Sequence, residues 1–422
     1  MPAPNAQMTA AQNAQQIQAM NLAFMQQSLE KVAYCPVTGG SGTSATYTPG
    51  TTLYFDFPQL GGAYIKGLLV TYSLTVNPLT GTSYALTAAD LWAMFSEIKL
   101  DYGNTQIRTH PYFLKVIDQL LYKSSGKQNS VTSGQNDSNL TTQINGNTNI
   151  TVTTANAWTG KIFIPLNVLG DDSVPGLLPA MSVGNTPQLK LTCTPNFLGP
   201  DPLMNVISGS GGGFTTPVTG TISVDAIYLD GSTMRTNVPL GLNLDTEPTL
   251  QYYWESALTP FNSGTTWQRK QITTRLEHWL MVSIIIDGAR SDRFMSDSTG
   301  STGNPYSNLS AFEIGPDQSG QNVFKGWNSG NNVSIYDYYD REIRRRHGQD
   351  LDPGVIVWVD AVTRGVTNPD NRHGTQVLNM TPNGGFVATN HAYQVVNTGT
   401  VCTPRVETFL LSMNYDGLNL VH

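Results

Sequence analysis

Apolar and polar residues alternate with a period of two along several segments that follow Pro36. In YIKGLLVTYSLTV, residues 64–76, alternation would place one set on a single face of a strand: Tyr64, Leu68, Val70, Tyr72, Leu74 and Val76. The same pattern occurs in KIFIPLNV (161–168), QLKLTCT (188–194) and TISVDAIYLDG (221–231). Strands with one buried face typically have this pattern, so it predicts a β-rich fold.

The order of these segments in the first half of the chain recurs in the second half. HWLMVSIIIDG (278–288) corresponds to YIKGLLVTYSLTV, AFEIG (311–315) to FSEIKL (95–100), and GVIVWVDAVTRG to KIFIPLNVLG. A tyrosine-rich segment with a helical pattern follows in each half, from Pro111 and from Ser334, and each half closes on an apolar strand before Asp-Gly. The repeat is too long for a solenoid and predicts two copies of one β domain.

Residues 9–33 have a helical rather than an extended pattern. Thr9 and Gln12 match a capping box, and Ala, Gln, Met and Leu are good helix formers. The segment carries no charge before Glu30, and its apolar side consists of Ile17, Met20, Phe24 and Met25. We predict a helix that packs on its own protein or on a neighbouring subunit. Contact with a membrane surface is the alternative, although the basic face of interfacial helices is absent.

Four arginines lie in the helical segment that begins at Ser334 and ends before Gly348. Acidic residues precede three of them by four positions, so most of this charge is balanced along the helix. Arg345 has no acidic residue four positions before it. We predict a structural or intersubunit helix, and we name its basic residues as candidate sites: Arg341, Arg344, Arg345 and Arg346. The alternative, nucleic-acid contact, lacks an aromatic stacking platform and a wider basic stripe.

Composition favours many short elements in a protein of acidic character. The 422 residues include 40 Gly and 24 Pro, the formal net charge is -7, and the pI is about 5.3. Such a surface repels nucleic acids and anionic membranes on average. Three cysteines lie far apart without metal-ligand spacing, which fits a reducing cytosol, and neither a signal peptide nor a spanning apolar run is visible.

Each candidate catalytic motif either lacks a required residue or is too common on protein surfaces to indicate a reaction. The triplet Arg-His-Gly occurs at 346–348 and 372–374, but the second arginine that histidine phosphatases carry is replaced by Asp350 and Gln376. Neighbouring carboxylates, Asp337 with Asp340 or Asp171 with Asp172, could form a glycosidase pair, but such pairs are common on surfaces. We predict no enzymatic activity, no metal and no cofactor. A secreted β-sandwich that binds or cleaves carbohydrate remains the alternative function.

The ordered set of features resembles one known protein family over nearly the full length of the chain. The matching segments are QNAQQIQAMNLAFMQQS, IKGLLVTYSLTV, TPQLKLTCTPN and REIRRRHGQDLDPGVIVWVD. In this order they resemble the double jelly-roll major capsid proteins of tailless icosahedral viruses that contain a membrane. The closest resemblance is to the tectivirus type, represented by bacteriophage PRD1.

The resemblance implies an all-β fold of two tandem eight-stranded jelly rolls with short inserted helices and an N-terminal helix. We expect a helical arm over residues 1–45, a first jelly roll over 46–236 and a second over 237–422. The resemblance further implies a homotrimer of pseudo-hexagonal outline in a virion capsid assembled in the host cytoplasm. Its partners would be neighbouring capsomers, minor capsid and vertex proteins, and an internal viral membrane near the N-terminal helix, with no direct nucleic-acid recognition.

Overall fold

A computed structural model describes the chain in separate segments. The described residues are 28–61, 63–76, 84–86, 94–102, 105–110, 113–114, 150–152, 156–166, 178–180, 186–195, 218–230, 249–256, 268–272, 277–287, 309–316, 325–328, 355–360, 378–379, 391–397 and 404–414.

Strands form nearly all of the regular structure in these segments. The first twelve are β1 (Leu29–Tyr34), β2 (Ser44–Tyr47), β3 (Thr52–Asp56), β4 (Ala63–Val76), β5 (Tyr84–Leu86), β6 (Phe95–Tyr102), β7 (Thr105–Thr109), β8 (Ile150–Val152), β9 (Asn156–Pro165), β10 (Leu178–Pro179), β11 (Gln188–Cys193) and β12 (Thr219–Asp230). The next nine are β13 (Thr249–Ser256), β14 (Gln268–Ile272), β15 (Glu277–Asp287), β16 (Leu309–Pro316), β17 (Lys325–Asn328), β18 (Val355–Asp360), β19 (Leu378–Asn379), β20 (His391–Asn397) and β21 (Pro404–Asn414).

Strands β1–β12 form the first of two barrels, which we name barrel one. Its first sheet has the order β1-β12-β4-β10, with β2 also paired to β12 and β9 paired to β4. Its second sheet has the order β3-β11-β6-β7, and β5 with β8 forms a separate two-stranded ribbon. All of these pairs are antiparallel. Two antiparallel sheets whose neighbours are distant in sequence are typical of a jelly roll.

Strands β13–β21 form barrel two with the same order of strands. Its sheets read β13-β21-β15-β18, with β19 paired to β15, and β14-β20-β16-β17. Each strand therefore has a counterpart in barrel one: β13 corresponds to β1, β21 to β12, β15 to β4 and β17 to β7. The repeat predicted from the sequence is confirmed, and the fold is all-β with two tandem jelly rolls.

A β-bulge recurs at the same place in both barrels. In barrel one the register between β12 and β4 shifts so that Ile227 pairs with Gly67 and Tyr228 with Ile65, which leaves Lys66 as the extra residue. In barrel two the register between β21 and β15 shifts between His278 and Leu280, which leaves Trp279 as the extra residue. A bulge adds twist and changes which side chains face inward, so its recurrence indicates that the two barrels are built alike.

The core of barrel one lies between its two sheets. Tyr47 of the first sheet is fully buried, and its hydroxyl donates a hydrogen bond to the Met94 carbonyl oxygen, 2.7 Å away, beside the second sheet. Its ring meets that of Phe95 edge to face, with the centroids 6.1 Å apart. The predicted inward face of β4 is confirmed for Leu68, Val70, Tyr72 and Leu74, all buried.

The predicted helix over residues 9–33 is wrong at its C-terminal end. Residues Leu29–Tyr34 form strand β1, which pairs with β12 from Asp230 to Asp225. Glu30 and Lys31 favour a helix locally, but twelve residues of β12 offer a long-range partner that the helix would leave unpaired. Residues 9–27 lie outside the described residues, so a helix there stays a prediction.

The two predicted tyrosine-rich helices lie almost entirely outside the described part of the chain. Phe113 and Leu114 are helical, and both donate backbone hydrogen bonds to the carbonyl oxygen of His110. No helix among the described residues is long and apolar enough to cross a membrane. The domain boundaries at 45 and 236 stay predictions, and β1, which precedes the first of them, pairs with a strand of barrel one.

Candidate assembly surface

Strand β1 is the outermost strand of the first sheet in barrel one, and it carries exposed apolar side chains. Leu29 is 53% exposed, Val32 63% and Tyr34 67%. Among the described strands, β1 pairs with β12 alone, so no other described strand lies beside its second edge. An open edge with large apolar side chains is a surface that proteins usually cover or blunt. Successive side chains of a strand point to opposite faces, so Val32 and Tyr34 share one face of β1 and Leu29 lies on the other. We name Val32 and Tyr34 the β1 surface.

The bulge and the loop after β1 hold this strand in place. Lys66, the extra residue of the bulge, reaches across β12 to Glu30, with Nζ and Oε2 3.0 Å apart. Lys31 forms a second ion pair, with its Nζ 2.5 Å from Asp230 Oδ2. Both pairs are partly exposed, so solvent screens their charges and each contributes little stability. The first pair joins β1 to β4 and the second joins β1 to β12, so both are compatible with the observed register.

The chain leaves β1 by crossing from the first sheet to the second. The Cys35 amide donates to the Val224 carbonyl oxygen at 2.8 Å, and the Asp56 amide donates to the Pro36 carbonyl oxygen at 2.9 Å. Val37 then bridges to Phe55 of β3. Because the backbone is tied to both sheets directly after Tyr34, the β1 surface is presented by a rigid part of barrel one.

The outer face of the sheet next to β1 is half-buried rather than fully exposed to solvent. Asp225 pairs in register with Tyr34, and its Oδ1 is buried without a hydrogen-bond partner in the described part of the chain. Burial raises the pKa of the Asp225 carboxyl group, while the nearby charge of Lys161 opposes that rise. The β1 surface therefore adjoins a region of reduced solvent access.

The residues predicted from the sequence as sites all lie outside the described residues. This holds for the arm residues Ile17, Met20, Phe24 and Met25 and for the arginines Arg341, Arg344, Arg345 and Arg346. The β1 surface was missed because the predicted helix extends to residue 33 and includes Val32, and because Tyr34, the next residue, was not assigned to a strand. The signal that could have found it is the alternation of Glu30, Val32 and Tyr34 directly before Pro36, with two good strand formers.

The buried titratable groups of barrel one are arranged for packing rather than for chemistry. Burial raises the pKa of the Cys35 thiol to about 12 and that of the Cys193 thiol to about 11, so both are protonated at neutral pH. A nucleophilic cysteine needs the opposite shift. No group of three or more metal-ligating side chains occurs among the described residues. Among its described residues, barrel one therefore has an exposed apolar edge strand and no constellation that points to a reaction.

His110 makes the stability of barrel one sensitive to mild acid. Its side chain is buried, and burial lowers its pKa to about 3. In the unfolded chain the imidazole binds a proton once the pH falls below its ordinary pKa of about 6.5. In the folded chain the imidazole stays neutral at that pH, because its pKa is lower. Stability present above that value is lost as the pH falls towards the folded pKa, and we expect barrel one to lose about 2 kcal/mol between pH 7 and pH 5.

The measurement is urea denaturation at both pH values for the wild type and for His110→Gln. The variant removes the group that titrates and should show a much smaller loss over this interval, in which most carboxyl groups remain ionised. An equal loss in both proteins would contradict the assignment to His110.

Comparison with known proteins gives a structural likeness without a sequence relative. No protein-family model matches the chain, and no curated protein sequence matches it. The major capsid protein of Sulfolobus Turreted Icosahedral Virus has a TM-score of 0.55 at 9% identity, over 93% of this chain and 99% of that one. The PBCV-1 protein VP54 has a TM-score of 0.53 at 11% identity, over 92% of this chain and 94% of that one.

A PBCV-1 capsid structure is similar to the chain to the same degree, with a TM-score of 0.51 at 13% identity over 92% of this chain and 93% of that one. The coverage is nearly complete in both directions, so the likeness extends over both barrels rather than over one. Together with the repeated strand order and the repeated bulge, it identifies the architecture: the chain has the double jelly-roll fold found in these viral capsid proteins.

Proposed function

We propose that the protein is the major capsid protein of an icosahedral virus and that it acts as a structural building block. The observation that carries the proposal is the duplication itself, since one chain contains two barrels with the same strand order and the same bulge. Three such chains could arrange six similar barrels in a ring, which fills a pseudo-hexagonal outline. The likeness to viral capsid proteins over more than 90% of the chain supports this function.

We extend the proposal to the surroundings of this building block. The homotrimer assembles in the host cytoplasm, becomes part of the virion capsid, and contacts neighbouring capsomers together with minor capsid and vertex proteins. The N-terminal segment, with Ile17, Met20, Phe24 and Met25, lies beneath the shell near an internal membrane. The host is a bacterium, as the resemblance to the tectivirus type suggests. The protein catalyses no reaction and does not recognise nucleic acid.

Electron microscopy of negatively stained, purified protein tests the proposal. We expect uniform trimeric blocks with a pseudo-sixfold outline, because each block would contain six similar barrels. A glycan-binding array on the same preparation is the control for the carbohydrate alternative. Monomers that bind glycans would overturn the capsid proposal, whereas trimers without glycan binding support it.

The arginine cluster supplies a second test of assembly. We propose that Arg341, Arg344, Arg345 and Arg346 lie on a helix at a subunit or barrel interface, and that Arg345 makes its contact across that interface because no acid lies four positions before it. We expect Arg345→Ala to weaken the trimer by about 2 kcal/mol, as loss of a charge-assisted contact does. Arg341→Ala is the matched control, since Asp337 can balance that arginine within its own helix.

Trimer dissociation in denaturant, followed by light scattering, compares the two variants. Equal small effects would assign the cluster to a solvated helix face. Salt-sensitive DNA binding by the wild type that both variants reduce would contradict the structural role.

A further inference from the structure

Strands β1 and β13 occupy equivalent positions at the edges of the two barrels. In barrel one, Leu29 pairs with Asp230 of β12, three pairs before the register shift between Tyr228 and Ile227. In barrel two, Thr249 pairs with Asn414 of β21, on the same side of the corresponding shift. The two bulges serve as fixed points for the comparison, so β1 and β13 are counterparts residue by residue and not only in strand order.

The edge formed by β13 lies close to barrel one within the chain. Strand β13 lies beside β7, and pairs of their Cα atoms are within 8 Å of one another. Strand β7 is the end strand of the second sheet in barrel one. The contact between the barrels therefore joins the β7 edge of one barrel to the β13 edge of the next, which is a head-to-tail contact between unlike edges.

The corresponding edges at the far ends of the chain are β1 and β17. Strand β17 is the counterpart of β7, because it is the end strand of the second sheet in barrel two. Among the described strands, β1 pairs only with β12, and β17 pairs only with β16. The described strands thus place β7 and β13 side by side within the chain and leave β1 and β17 as the corresponding edges without a described neighbour.

We propose that the β1 surface of one chain docks against strand β17, Lys325–Asn328, of a second copy of the chain. The proposal deepens the proposed function and rests on it, since it names the contact through which three copies would close into a ring. A head-to-tail contact repeated by rotation closes a ring, and the proximity of β13 to β7 provides an example of such a contact inside one chain. Docking would also bury Val32 and Tyr34, which are 63% and 67% exposed in the single chain.

Truncating the β1 surface tests the contact by its effect on assembly. We expect the double variant Val32→Ser with Tyr34→Ser to raise the protein concentration at which the trimer half dissociates by about tenfold or more, as loss of buried apolar anchors does. Tyr54→Ser is the matched control, because Tyr54 is a 43% exposed tyrosine on β3 of the same barrel. Mass photometry across a dilution series gives the midpoint, and circular dichroism verifies that each variant is folded. An equal shift in the control would overturn the assignment to β1.

Directed cross-linking distinguishes this contact from other modes of assembly. Val32→Cys and Asn328→Cys are made as separate variants, co-expressed, and treated with a short bismaleimide. We expect a covalent link between one variant and the other and none within either variant alone, because the two edges differ. A link between two Val32→Cys chains would indicate a head-to-head contact and would overturn the proposal.

The two tests separate the failure of this contact from the failure of the capsid proposal. If the protein forms trimers that neither truncation nor cross-linking connects to β1, the contact is wrong and the capsomer stands. If the protein is monomeric at every concentration, both are wrong. Trimers weakened by the truncation and linked from Val32→Cys to Asn328→Cys support both.

Discussion

Replacing Gly220 with valine is expected to destabilise barrel one by about 3 kcal/mol or more. Gly220 lies in β12 between β2 and β4, where the strands approach closely. A Cβ atom at this position would lie 2.8 Å from Leu74 Cα and closer still to the Ser73 carbonyl oxygen. Both obstacles are backbone atoms of a central strand, so they cannot move away by a change of rotamer as a side chain can. The barrel must separate β12 from β4 locally or unfold.

Urea denaturation followed by circular dichroism measures the change, and Gly42→Val is the matched control. A Cβ atom at Gly42 would meet only the Ser44 carbonyl oxygen at 3.7 Å, which is an ordinary contact. Gly67→Ala provides an intermediate case, because the closest obstacle there is the ring of Phe163, which can shift, while the Ile164 carbonyl oxygen lies 3.1 Å from the added Cβ atom. An unchanged midpoint for Gly220→Val would show that the close approach of β12 and β4 is not required for stability.

Replacing Phe55 with alanine is expected to destabilise barrel one by about 3 to 5 kcal/mol. Phe55 is fully buried at the centre of β3, where it pairs in register with Leu189 of β11. Removing its ring takes away buried apolar surface and leaves a cavity between the two sheets, which close packing cannot readily fill.

The neighbouring residue supplies the control, since successive side chains of a strand point to opposite faces. Tyr54 is 43% exposed, and its ring centroid lies 5.7 Å from Lys190 Nζ, a cation–π contact worth about 0.5 to 1 kcal/mol at an exposed site. We expect Tyr54→Ala to cost no more than about 1 kcal/mol. Both variants are compared by urea denaturation, as for Gly220→Val. Equal losses of stability at positions 54 and 55 would contradict a strand with one buried and one exposed face.

Much of the fold could be predicted because a strand with one buried face has apolar residues at alternate positions of the sequence. Leu68, Val70, Tyr72 and Leu74 were predicted on one face of β4, and all four are buried. The repeated order of apolar segments also predicted two similar barrels, since each segment became a strand in the corresponding place. These features are local or recur along the chain, so they can be read without knowing which strands meet.

The candidate site was predicted less well than the fold. The arm and arginine predictions fall outside the described residues and stay predictions. The predicted helix includes residues 29–33 of β1 because Leu29, Glu30 and Lys31 have good helix propensity. Propensities of a few tenths of a kcal/mol per residue are outweighed when a strand can pair along a long neighbour such as β12.

The sequence by itself determined the all-β class, the duplication and the inward face of the long strands, because hydrophobic burial follows the period of the strand. Only the tertiary structure decided that residues 29–34 pair with β12 and that β1 lies at an edge of its sheet. It also decided that Lys66 forms a bulge, which places Ile65 rather than Tyr64 on the same face of β4 as Leu68. Each of these depends on pairing between residues far apart in the chain, on which local alternation carries no information.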